Sequence, residues 1–347
     1  MAPDSARREF LKTGAALFTT SPFTGRLRGA NDKPKIAFIG CGPAGCRNLN
    51  FAARAGGVEI AAVCDVYGPA RECAARLAGR LGFRGVEAHR DFREILADPS
   101  IDAVAIAAPD RWHASLTIEA CKAGKDVWCE TPACLSVEEG LEMVQAARRY
   151  RRVVQAGTVQ RSGGFRKARE MVRSGDLGEI AFCNAFEAVP AGATTDSRVQ
   201  LLDAVQFVFD EAMPVSISAQ DGLATFRYPG FVAAYESRTA TPFDNRSYGT
   251  AFHGSKGTLV VNRGDSRGRT AANVAHWANF LECLRTRRKP VSDIETCVRS
   301  TTTCLLSDLS LRHGVTVGWD EQAFTVKQPE LRPFLKARYR SPWKPEV

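Results

Sequence analysis

Lys35-Ile-Ala-Phe-Ile-Gly-Cys-Gly-Pro-Ala-Gly45 is the stretch from which the rest of the chain is read. An apolar strand runs straight into Gly40-x-Gly42-x-x-Gly45 and then into a helix-like run to Ala55. Gly40 permits a tight turn, Gly42 lets the backbone approach a pyrophosphate, and Gly45 lets the helix pack close on the strand. The helix N-terminus then presents its N–H groups and positive dipole end to the phosphates. Cys41 and Ala44 are small enough for the loop, and Pro43 suits an early helical position, where an N–H has no intrahelical partner. A plain strand-to-helix turn also satisfies this pattern alone, so its meaning depends on context.

Val58-Glu-Ile-Ala-Ala-Val-Cys-Asp65 reads as a second strand that ends in a carboxylate 20 positions beyond Gly45. An acidic residue there accepts hydrogen bonds from an adenine ribose and repels a 2′-phosphate, so Asp65 favours NAD over NADP. Arg71 can compensate in part, and a helix-capping or turn role for Asp65 stays open. Helical spacing over Pro69–Leu81, Phe92–Leu96, Trp112–Ala123 and Val137–Tyr150 alternates with the apolar segments Ala103–Ala108, Asp126–Cys129 and Val153–Ala156. Strands apolar on both faces, alternating with helices, predict an α/β fold with a doubly wound parallel sheet. A ligand should lie beyond the carboxyl ends of its strands, among Asp65, Ala108-Pro109-Asp110, Glu130-Thr131-Pro132 and Gly157-Thr158.

The 347 residues suffice for two domains, and 44% apolar with 24% charged residues is ordinary globular composition. No apolar run approaches the roughly 18 residues of a membrane span. The net charge of +9 is concentrated at the ends, with +3 of it in residues 1 to 30 and Lys327, Arg332, Lys336, Arg338, Arg340 and Lys344 near the carboxyl end. No aromatic-interleaved basic stripe accompanies it, so nucleic acid is not an expected partner. Ser5-Ala-Arg-Arg-Glu-Phe-Leu-Lys12, with an apolar Thr13–Phe23 and a small-residue site near Gly29-Ala30, resembles a twin-arginine export signal. Export in the folded state, by way of the twin-arginine translocase to the periplasm, implies that a nicotinamide cofactor is loaded beforehand and recycled in place. Eleven cysteines include no Cys-x-x-Cys pair and no Cys/His cluster with zinc spacing, so no metal is expected and most thiols should be buried apolar fillers.

At this point the chain resembles the glucose-fructose oxidoreductase, inositol dehydrogenase and rhizopine-catabolism (Gfo/Idh/MocA) dehydrogenases, and within them the exported members. The likeness is carried by Gly29–Asp32, the glycine loop, Ala108-Pro-Asp-Arg-Trp-His113, Ala123–Glu130, Val154–Thr158 with Arg161, Gly254–Thr258, Asn279–Arg285 and Tyr339–Trp343. It implies an export label over residues 1–30, a cofactor domain over 31–157 and, over 158–347, a domain whose open, mostly antiparallel sheet takes the substrate and often forms the contact of a homo-oligomer. Helices over 165–174, 203–209, 273–285 and 294–312 and strands over 180–186, 214–219, 231–236, 250–253 and 258–261 agree in outline. Loops near 190–197 and 262–272 are expected to be trimmed.

The resemblance further implies cofactor contacts from Gly40 to Gly45, Asp65, Ala108, Pro109, His113 and Glu130, and substrate contacts from Trp112 and Arg161. It breaks at the chemistry. Family members carry Glu-Lys-Pro, whose lysine handles the proton of the reacting hydroxyl, where this chain has Glu130-Thr131-Pro132. The family's Asp-x-x-x-His-x-x-Asp reads here Asp196-Ser-Arg-Val-Gln200-Leu-Leu-Asp203. Thr131 and Gln200 can hydrogen-bond but cannot exchange a proton near neutral pH. Thr131, Asp196 and Gln200 are the expected catalytic positions, with Asp196 equally readable as a helix cap, Arg161 as a salt bridge and Asp203 as structural. The expected reaction is NAD-dependent oxidation or reduction of a sugar or polyol hydroxyl. A binding protein without turnover and a sugar lyase or glycosidase are the alternatives.

Overall fold

A computed structural model describes residues 33–188, 195–238, 247–262, 264–337 and 339. The export-signal reading, the loop at 190–194 and the tail beyond Tyr339 lie outside the described residues.

Six strands form the first sheet: β1 (Lys35–Ile39), β2 (Glu59–Cys64), β3 (Glu87–His89), β4 (Ala103–Ile106), β5 (Asp126–Cys129) and β6 (Val154–Ala156). They lie in the order β3-β2-β1-β4-β5-β6, every neighbouring pair parallel. The strand order reverses between β1 and β4, and it is at the carboxyl ends of the strands beside such a reversal that open α/β sheets take their ligands. Helices α1 (Pro43–Ala55) and α2 (Gly68–Arg80) cover one face, joining Leu49, Ala52 and Ala78 to Phe38 and Val63. Helices α3 (Phe92–Ala97), α4 (His113–Lys122) and α5 (Val137–Arg149) cover the other, joining Ile118 and Met143 to Ile39 and Val104. With both faces covered, β4 and β5 are buried throughout, which is why they read as unbroken apolar runs.

The second sheet has eight strands: β7 (Ile180–Ala188), β8 (Ser216–Gln220), β9 (Leu223–Arg227), β10 (Val232–Arg238), β11 (Tyr248–Gly254), β12 (Gly257–Val261), β13 (Val317–Asp320) and β14 (Thr325–Val326). Their order is β12-β11-β7-β10-β9-β8-β13-β14, and only β7 and β10 run parallel. Helices α6 (Phe165–Ser174), α7 (Thr195–Val208) and α9 (Ile294–His313) supply its inner core, with Phe165, Leu202, Val205 and Leu306 against Ala233, Tyr235 and Phe252.

The cores do not divide where the sheets do. Trp277, Phe280 and Leu284 of α8 (Ser266–Thr286) share a cluster with Phe38 and Trp128 of the first sheet. Ile294, Cys297 and Val298 of α9 pack with Val127 and Met143. Two long helices from the second unit therefore complete the first. Helix α8 also corrects an expectation, since it occupies much of the 262–272 segment read as a trimmed loop. Asp265 caps it by accepting from the Gly268 amide at 2.7 Å, and its first turns read as loop because they are polar and solvent-facing. Strands β3, β9, β13 and β14 are absent from the sequence reading: β3, β13 and β14 are short, and β9 buries Ala224 and Phe226 while exposing Leu223, so its hydropathy does not follow its faces.

Candidate functional site

Each glycine of the first loop has its own physical reason. Gly40 has φ +91, and a Cβ there would lie 2.5 Å from the Ala107 carbonyl. A Cβ at Gly45 would lie 1.9 Å from the Gly40 oxygen, so the helix meets the strand only as glycine on glycine. Gly42 differs, because nothing lies within 4 Å of its notional Cβ. Its freedom is not spent on protein packing. Gly42 also caps α1 with no side-chain hydrogen bond and no acidic residue in the first turn, while Pro43 takes the first helical position. Nothing crowds Gly42 and no acidic side chain lies in the first turn of α1, so this helix end suits a diphosphate.

Asp65 follows β2 beside this loop. Its carboxylate accepts from the Cys41 amide at 2.7 Å and the Tyr67 amide at 2.9 Å. Arg71 donates to the Asp65 main-chain oxygen at 2.6 Å, leaving the carboxylate to those amides. Burial, and then the Asp65 charge, push the Cys41 thiol up to about 12, so it is an inert filler in the loop.

Glu130-Thr131-Pro132 leaves the carboxyl end of β5. Here Thr131 meets Gln200. Gln200, on α7, donates from Nε2 to Thr131 Oγ1 at 3.0 Å and to the Gly157 carbonyl at 2.8 Å. Both side chains are buried, Thr131 at 5% and Gln200 at 7% exposure. The hydroxyl and amide therefore form a matched neutral pair joining the two units. His113 is buried at the start of α4, its ring nitrogens 2.7 Å from the Pro132 carbonyl and 2.8 Å from the Ala108 carbonyl. It ties the β4–α4 turn to the tripeptide. Pro109 is exposed on the lip of that turn, and Trp112 packs against the first unit's core.

Arg161 is 1% exposed and fully engaged. It grips Asp203 with two bonds of 2.8 Å and Glu211 with bonds of 2.6 and 2.8 Å, while Ser300 donates to Asp203 at 2.7 Å. Burial works against the guanidinium charge, but Asp203 and Glu211 outweigh it and hold the proton more firmly than usual. Of the two readings open for Arg161, the salt bridge is the one present, and its bonding is spent on protein partners. Asp203 is the structural carboxylate of the same cluster. Helix α7 begins at Thr195, so Asp196 lies in its first turn rather than before it, and its side chain is outside the described residues. Among the described residues no group of three or more His, Cys, Asp or Glu side chains gathers to hold a metal.

No sequence motif points to Asn48, Glu211, His276 or Trp277. Asn48 donates to Glu130 Oε1 at 2.7 Å and accepts from the Trp277 indole at 3.2 Å. His276 on α8 approaches the Ala156 carbonyl and the Ser162 hydroxyl, each at 2.8 Å, beside the last strand of the first sheet. These contacts span 82 to 229 residues of sequence, and no local motif signals them.

Residues 34–158 match the family model described as an oxidoreductase family with an NAD-binding Rossmann fold, GFO_IDH_MocA. Over those residues the first unit is similar to the Gfo/Idh/MocA oxidoreductases. The chain is 29% identical over 197 residues to inositol 2-dehydrogenase 3 of Saccharopolyspora erythraea, spanning 54% of this chain and 56% of the relative. It is 30% identical over 158 residues to a glycosyl hydrolase family 109 protein of the same organism, spanning 44% and 34%. The chain thus spans about half the length of such curated relatives, or less. Among solved structures, scyllo-inositol dehydrogenase from Lactobacillus casei with bound NAD(H) and scyllo-inositol superposes at a TM-score of 0.70 with 17% identity, over 83% of this chain and 99% of that one. That likeness shows the fold alone, a parallel α/β sheet followed by a mostly antiparallel one.

Proposed function

We propose that this protein is an NAD-binding oxidoreductase acting on a hydroxyl of a sugar or polyol, with its cofactor held tightly through repeated use. The observation that carries the reading is the cradle at the strand-order reversal. Open space above Gly42, the bare N-terminus of α1 and the Asp65 carboxylate stand together on one lip of the crevice. In this reading the α1 amides bind a diphosphate, Asp65 binds the adjoining ribose hydroxyls, and Glu130, Ala108 and Pro109 border the far end. A nicotinamide dinucleotide, when bound, supplies a hydride acceptor and donor. Thr131 and Asp196 orient the substrate hydroxyl, with Gln200, one turn beyond Asp196 on α7, bonded to Thr131. NAD is preferred over NADP because Asp65 repels a 2′-phosphate.

One observation favours a second reading. Thr131 and Gln200 satisfy each other, and neither titrates near neutrality, so the chain can also be a cofactor- and sugar-binding protein without turnover. Purified protein, scanned for the absorbance of bound reduced dinucleotide and then offered a panel of sugars and polyols, separates the two. Absorbance that cycles with substrate supports the oxidoreductase. Bound dinucleotide that no substrate alters supports the binding protein, and a chain that takes up no dinucleotide sinks both.

Two further expectations belong to this proposal. Arg7-Arg8 and the apolar segment after them direct export through the twin-arginine translocase, which cell fractionation of Arg7→Lys/Arg8→Lys tests. A second copy of the chain covers the outer face of the second sheet, where Phe182 and Val232 are register partners exposed at 39% and 38%, and Phe182 stacks on His253 at 5.6 Å.

A further inference from the structure

Helix α1 does more than present its first amides. Asn48, one turn beyond Gly45, is 3% exposed and points inward. Its Nδ2 donates to Glu130 Oε1 at 2.7 Å, and its Oδ1 accepts from Trp277 Nε1 at 3.2 Å. An indole N–H can only donate and a carboxylate can only accept, so the carboxamide fits this place one way round. The chain from indole to carboxamide to carboxylate therefore has a fixed direction.

Glu130 has little freedom once Asn48 holds it. Its other oxygen, Oε2, faces the Thr131 amide at 3.3 Å and would stand 2.9 Å from a Cβ at Gly157. Trp277 is pinned independently, stacked on Trp128 with centroids 4.9 Å apart and rings 13° from parallel, and tilted against Phe38 at 5.8 Å. Trp128 lies two residues before Glu130 on β5. Both ends of the relay thus bear on the same strand end, one through packing and one through hydrogen bonds.

We propose that Asn48 is a positioning residue: it fixes the Glu130 carboxylate at the rim of the dinucleotide crevice and links that carboxylate to Trp277 of the second unit. The proposal rests on the reading of the crevice as a dinucleotide site and adds the residue that sets its carboxylate. Filling the crevice changes the electrostatic surroundings of Glu130, hence the strength of the bond it takes from Asn48, hence the indole N–H of Trp277. A buried asparagine that merely filled space would not transmit this change.

The test uses the full chain labelled with ¹⁵N at its indoles and NADH as probe. The Trp277 indole resonance, assigned by its loss in Trp277→Phe, is expected to move when NADH saturates the wild type. In Asn48→Leu it should shift upfield without ligand, stop responding to NADH, and accompany an NADH Kd raised about 10- to 100-fold, the loss expected for a hydrogen bond to a charged group. Wild-type NADH affinity in Asn48→Leu, or a Trp277 resonance indifferent to NADH in the wild type, overturns the proposal. Should Asn48→Leu fail to fold, Trp277→Phe is read instead: a Kd raised about fivefold, the loss of one neutral bond, supports the relay, and an unchanged Kd overturns it. A wild-type chain that binds no NADH overturns the functional reading itself, and shows before any substitution is made.

Discussion

The hydrogen bond between Thr131 and Gln200 concentrates the chemical question in two side chains. A lysine placed alone at 131 would bring a buried ammonium against the Gln200 amide N–H groups and remove the hydroxyl that accepts from them. Thr131→Lys alone and Gln200→His alone should each change turnover less than about tenfold, whereas the pair should raise it by about two to four powers of ten, the usual worth of general acid–base assistance. Steady-state rates on any polyol that binds decide this, and a pair no faster than wild type shows that more than proton handling is missing. His276 makes a separate prediction. Burial pushes its imidazole down to about 4, so the ring is neutral in the fold. The unfolded chain, with an ordinary imidazole near 6.5, takes up the proton first as pH falls. The His276 contribution to stability is therefore flat above about pH 6.5, declines by up to about 3 kcal/mol towards pH 4, and levels off below. Urea midpoints of wild type and His276→Gln from pH 8 to 4 should converge across that window.

At the scale of elements, the glycine loop and the buried ion cluster separate binding from folding. Gly42→Ala adds a methyl to open space, so it should leave stability within about 1 kcal/mol while weakening dinucleotide binding at least tenfold. Gly45→Ala meets the Gly40 carbonyl and should destabilise by about 3 kcal/mol, the upper end of overpacking costs. Denaturation and NADH titration of both variants check the contrast, and equal behaviour would sink the assignment of Gly42 to a ligand. Arg161 holds the segment after β6 against α7 and α9 through Asp203, three residues beyond Gln200 on α7. Arg161→Met leaves Asp203 buried without its partner and should cost about 3–5 kcal/mol. Since the register of α7 sets the meeting of Gln200 with Thr131, this loss should also loosen the site.

For the whole molecule, α8 and α9 bind the two sheets into a shared interior, so the cofactor crevice and the second sheet should unfold together rather than as separate transitions. Calorimetry should show one peak, shifted upward by NAD(H) through mass action. The exposed strip on the outer sheet face argues for self-association: light scattering should give a multiple of 37.8 kDa less any cleaved leader, and Phe182→Glu with Val232→Glu should lower it to the single chain. A monodisperse single chain in the wild type would remove that expectation.

The first sheet was legible in the sequence because both of its faces are covered: β1, β4 and β5 had to be apolar runs, and the glycine loop had to keep its spacing. The end of β2 at Asp65 and the Glu130-Thr131-Pro132 turn were legible for the same local reason. What the sequence could not supply was which distant groups meet. That Gln200 reaches Thr131, that Arg161 is consumed by Asp203 and Glu211, and that Asn48 stands between Glu130 and Trp277 follow from how two helices of the second unit dock on the first. Local pattern is fixed by the period of a helix or strand, whereas hydrogen bonds that span 42 to 229 residues depend on packing that only the folded chain possesses.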